Sequence, residues 1–156
     1  MTALSATADS HWFRRAGRCA GRAPIAALAC AAFAAFGAPA SAPHAAACVA
    51  ALKAQEAGFA ESVKAGEPMP TDFLRVVRSG IAIIGTQYLA GLREAEAREL
   101  LKAAEADFQA LPPAQASERQ GRCLREGESI FGRASPLEQS LITTAAQRRI
   151  KRLTAP

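Results

Sequence analysis

The side chains able to do chemistry in this chain are few, and its four cysteines come first. Cys19 and Cys30 lie within the first forty residues, while Cys48 and Cys123 lie far apart in the remainder. A redox-active pair belongs in local C-x-x-C spacing. Two lone thiolates without histidine support make a weak metal site. Cys48 and Cys123 are therefore predicted to form a structural disulfide, as an even pair in a small exported domain favours. Closing a loop of that length removes unfolded-state entropy worth about 4.5 kcal/mol.

Both histidines sit near the start. His11 and His44 fall, respectively, inside and within a few residues of the end of an export signal. On that reading the folded part from Cys48 onward has no histidine, which excludes Ser-His-Asp and Cys-His catalysis and histidine-ligated zinc. There is no phosphate loop, no C-x-x-C-H haem attachment and no EF-hand spacing, so the reading includes no cofactor. Glu94, Glu96 and Glu99, or Glu126 and Glu128, could act as acid and base only if they flanked a bond in a cleft. On amphipathic helices such residues are ordinarily solvated faces. The arginines and acids between Glu118 and Glu128 read as a wet surface or as an interface, where arginine is enriched.

The last chemical feature is a basic end. Arg148, Arg149, Lys151 and Arg152 complement the dipole of a helix C-terminus, and are the candidate contacts for an anionic surface such as phospholipid headgroups. Taking Arg14, Arg15, Arg18, Arg22 and Asp9 from the 19 basic and 14 acidic side chains leaves a balance of only +2. This is a basic end and not a basic protein, and with little aromatic content it is no candidate for nucleic-acid binding.

Placement of these residues begins with the leader. The four arginines just named, the uncharged run Ala23–Phe36 and the small residues Ala38-Pro39-Ala40 form the three parts of a secretory signal. The uncharged run is shorter than the roughly 20 residues of a spanning helix, so residues 1–40 are read as a cleaved signal peptide. A cut after Ala42, or between His44 and Ala47, is the alternative. Residues 41–47 are then a flexible leader, and residues 48–156 a single domain in the periplasm or outside the cell.

That domain is rich in Ala, Leu, Glu, Arg, Gln and Lys, a helix-forming composition. Helices are expected over about 46–65, from about Thr71 or Asp72 to near Leu89, over 93–111, from after Ser117 to Phe131, and from Pro136 onward. Gly66, Gly91 and Gly132 are stops, and Pro112-Pro113 ends the third. Ser135-Pro136-Leu137-Glu138 is a capping box with proline at the first helical position. The second helix, apolar all round, is expected to be the central buried element with Tyr88 packed inside it. Gly80 and Gly85 mark close approach of another helix, or a small cavity. The expected fold is all-α, a small antiparallel bundle of four or five helices crosslinked by one disulfide. The expected role is a non-enzymatic, macromolecule-binding or scaffold module whose partner is another envelope protein. A peripheral envelope protein held weakly to an anionic membrane by the basic end is the alternative, and a carboxylate-based enzyme the second alternative.

Overall fold

The computed structural model describes residues 40–155. The expected signal peptide up to residue 39, with Cys19, Cys30 and His11, lies outside them. The rest is an all-α bundle of five helices: α1 (Ala42–Lys64), α2 (Phe73–Leu89), α3 (Glu94–Gln109), α4 (Pro113–Arg133) and α5 (Pro136–Leu153). Among the described residues no helix is long and apolar enough to cross a membrane.

Local chemistry sets the boundaries. Gly66 and Gly91 adopt φ of +89° and +94°, the left-handed conformation that lets a chain leave a helix while the next amides bond back to its last carbonyls. Glu67 N–H donates to Ser62 O, and Leu92 N–H to Gln87 O. At the start of α5 the capping box is complete: Ser135 accepts from Glu138 N–H, and Glu138 accepts from Ser135 N–H.

Two expected boundaries are corrected. Residues 42–47 are not a flexible leader but the first turns of α1. Pro43 sits where its missing N–H costs nothing, and Ala45 is buried in the core. Pro113 likewise opens α4 instead of only closing α3, so Ser117 lies inside a helix and caps nothing.

The centre of the bundle is α1, which packs against all four other helices. Its alanines are the reason. Ala50 and Ala51 meet Ala104 and Phe108 of α3, while Cys48, Val49 and Leu52 meet Val76 and Ile83 of α2 and Cys123 and Leu124 of α4. Lower down, Ala60 joins Phe73, Val77, Ala146 and Ile150, with Phe59 and Phe73 edge to face at 5.5 Å between centroids. Small side chains on several faces let several helices approach one axis.

As expected, α2 is a buried element along most of its length, with Phe73, Val76, Val77 and Ile83 inaccessible beside α1. It packs on α1, α4 and α5 but leaves Ile84, Tyr88 and Leu89 exposed at its C-terminal end. Leu141 of α5 is exposed too.

The tightest crossing lies between α2 and α4. A Cβ on Gly127 would stand 2.5 Å from Ser79 Cβ and 2.7 Å from Ser79 O. Gly80 allows a milder approach, its virtual Cβ 3.6 Å from Glu56 Oε1, and nothing approaches Gly85 within 4 Å. Gly127, which weakens a helix when read from sequence alone, is the glycine the packing requires.

Candidate functional site

Three groups of side chains stand out, all built on α1. At its N-terminal end the predicted disulfide is present: Cys48 and Cys123 are bonded across 75 residues, with Cα atoms 5.1 Å apart. Both are buried. One turn before Cys48, His44 projects from the same face, and its Nε2 lies 2.8 Å from Glu126 Oε2. The expectation of a folded part without histidine is thus corrected. The extra turns of α1 carry His44 into the bundle's surface, where α4 supplies its partner. A disulfide sulfur has no proton to give, so the arrangement is not a thiol–imidazole nucleophile in this state.

The second group lies midway along α1. Glu56 is only 4% exposed, and Arg149 Nε donates to its Oε2 at 2.7 Å. Burial pushes the Glu56 carboxyl above its ordinary value, while the Arg149 guanidinium and then the Lys53 ammonium pull it back. A shallow cavity of about 150 Å³ opens above this pair between Lys53, Gly80, Ile84 and Leu101. Lys53 also pairs with Glu105 of α3. Each nearby charge on this floor has an opposite neighbour, as a buried carboxylate requires.

The third group is a groove between α1, α2 and the start of α3. Its volume is about 110 Å³, and Val49, Ile84, Tyr88, Leu92, Leu100 and Leu101 line it. Two of the polar members are already engaged. Gln87, buried, donates from Nε2 to Ala40 O at 3.1 Å, and Arg98 pairs with Glu94. What remains open is apolar surface flanked by a phenol, the composition of a contact site.

The structure divides the basic end. Arg148, Lys151 and Arg152 are exposed on α5, whereas Arg149 turns inward to Glu56. Arg149 is therefore not an anionic-surface contact, because its guanidinium compensates a buried carboxylate. Tyr88, expected in the core, instead forms a half-exposed wall of the groove.

Sequence reasoning missed the pairing of His44 with Glu126, the burial of Glu56 and the groove. One signal was available for Glu56: it follows Leu52 by four positions and sits on the buried Cys48–Leu52–Ala60 line. Comparison with family models, with curated proteins and with solved structures returns no match.

Proposed function

We propose that this protein is an exported, non-enzymatic binding module, and that the groove between α1, α2 and α3 receives an apolar segment of another envelope protein. The observation that supports the reading is the groove's lining. Apolar side chains form its walls and floor, Arg98 pairs with Glu94, and Gln87 is bonded to Ala40 O where the chain retains that residue. A reaction site needs convergent polar groups aimed at one reacting atom. An apolar trough with an aromatic wall instead offers area and shape, and a tyrosine beside aliphatic residues is a common anchor of binding energy.

Site-specific photocrosslinking in cells tests it. A benzophenone side chain placed at Leu89 should give one discrete adduct with an envelope protein. That adduct should vanish when Ile84→Glu puts a charge in the groove of a protein that still folds. No adduct, or one indifferent to Ile84→Glu, would overturn the proposal.

A second reading draws on α5. Leu137, Leu141, Arg148 and Arg152 recur at helical spacing along one exposed face, with two apolar residues at one end and cations at the other. An anionic bilayer would attract such a face, at about 1 kcal/mol for each cation near the surface. Flotation with anionic liposomes, comparing the intact protein with one carrying Gln at 148, 151 and 152, decides it. Equal binding dismisses the membrane reading.

A further inference from the structure

His44 and Cys48 lie four positions apart on α1, and Cys123 and Glu126 three apart on α4. Residues so spaced share a helix face. Because the two cysteines meet, those two faces meet, and the imidazole and carboxylate come with them. His44 Nε2 is 3.9 Å from Cys48 Sγ, and Glu126 Oε2 is 3.8 Å from that sulfur and 2.8 Å from the imidazole nitrogen. These three ligand atoms lie within 4.8 Å of one another. In a tetrahedral zinc site sulfur stands about 3.5 Å from a neighbouring nitrogen or oxygen, and nitrogen about 3.3 Å from oxygen. These three separations differ from those by roughly 0.5 Å or less, within reach of small side-chain rotations. The Cys48 and Cys123 sulfurs, bonded to each other here, must part to about 3.8 Å to join them on one ion.

We infer that Cys48, Cys123, His44 and Glu126 bind a zinc ion when the two sulfurs are not bonded to each other. Metal and disulfide are then alternative closures of one α1–α4 crosslink. Two thiolates, an imidazole and a carboxylate are the borderline-soft donor set that zinc takes. In the disulfide state neither sulfur is a thiolate, and His44 and Glu126 satisfy each other. The arrangement answers the objection that two thiolates lack histidine support, because the fold supplies the missing ligands.

A newly exported chain whose thiols have not yet been joined reaches the zinc form directly. From the disulfide, the route requires a dithiol reductant. Its two electrons break the Cys48–Cys123 bond, two protons convert the sulfurs to thiols, and the reductant leaves as a disulfide. Zinc then displaces the two thiol protons to solvent and takes an unprotonated Nε2 from His44. The imidazole is exposed and the carboxylate half-buried, while both cysteines are 1% exposed. The metal's entry is from the imidazole side.

The test uses the exported protein, reduced and freed of reductant without air, titrated with Co²⁺ and then Zn²⁺. One equivalent of Co²⁺ should give thiolate-to-cobalt absorption that zinc abolishes. The disulfide form should give none. His44→Ala and Glu126→Gln should each weaken zinc binding tenfold or more, since even outer partners of a metal site are worth that much. Absence of the thiolate band, equal binding by the disulfide form, or unchanged affinity in both variants would overturn the inference. If reduction unfolds the protein, zinc should restore its helical circular dichroism, and less readily in either variant. Failure to restore it, or equal restoration in both variants, counts against the site.

Discussion

Arg149 Nε lies 2.7 Å from Glu56 Oε2, tying the last helix to the first across 93 positions of sequence. The carboxylate is buried and the guanidinium about one third exposed. A buried ion pair of this kind stabilises little relative to well-packed apolar groups, but removing one partner strands the other charge. Arg149→Gln is therefore expected to lower stability by about 3 kcal/mol, at the low end for such pairs because water reaches the guanidinium. Arg148→Gln next to it should change stability by less than about 0.5 kcal/mol. Urea denaturation of the two variants checks the contrast, and equal losses would show that Arg149 does not compensate Glu56.

The same carboxyl sets a pH dependence of unusual sign. Burial raises its folded-state pKa above the ordinary 4.5, so the folded protein holds that proton to higher pH than the unfolded chain. Its contribution is fully present below about pH 4.5 and is lost as pH rises through the folded value. Glu138 runs the other way: hydrogen bonds from the Ser135 side chain and backbone lower its pKa. Its contribution is present above the ordinary value and lost as pH falls through the folded one. The stability of the wild type relative to Glu56→Gln should thus decline as pH rises above about 4.5. Relative to Glu138→Gln it should decline on acidification. Thermal unfolding as a function of pH measures both, and a flat Glu56→Gln difference refutes the first.

Gly127 should be the least replaceable glycine. Its virtual Cβ would fall 2.7 Å from a backbone oxygen of α2, which no side-chain rotation relieves. Gly127→Ala is expected to cost about 3 kcal/mol by overpacking. Gly85→Ala, with open space around it, should stabilise by up to about 1 kcal/mol through helix propensity. Opposite signs of the two shifts in melting temperature are the outcome to look for.

Replacing Cys48 and Cys123 together by serine removes the constraint on the unfolded chain, with an expected loss of about 2–4 kcal/mol. The far-ultraviolet spectrum of whatever remains folded should keep its helical form, because α1 still packs against α2 and α3 through Val49, Leu52, Ala50 and Ala51. Loss of helix at every temperature would mean that the crosslink, and not the core, holds the bundle together.

Gln87 offers a test of the proposed leader cleavage. Its buried amide donates to Ala40 O, the residue before the expected cut. In a chain that begins at Ser41 this acceptor is gone, and a buried amide without a partner costs about 1–3 kcal/mol. Gln87→Leu should then raise stability by about 1 kcal/mol in the processed protein and lower it in a chain that retains Ala40. Intact mass identifies the species, and denaturation compares them.

Much of the architecture was legible because it rests on local rules. Helix-forming composition, the left-handed glycines at 66 and 91, and the capping serine at 135 act within a few residues of themselves. The disulfide was legible by counting, since only two cysteines follow the leader. The proline at 113 misled for a local reason as well: a proline that stops one helix can equally open the next.

What the chain alone settled is an all-α bundle of four or five helices and the identity of its crosslink, because propensity, capping and cysteine number require no knowledge of neighbours. Tertiary structure decided that Glu56 is buried, that Arg149 serves it, that Gly127 lies at the tightest crossing, and that His44 and Glu126 flank the sulfurs. Periodicity ranks the faces of a helix by polarity, yet a charged residue on a buried face is tolerated only when a partner arrives from elsewhere. That partner is supplied by helix crossings between residues tens of positions apart, which no local pattern encodes.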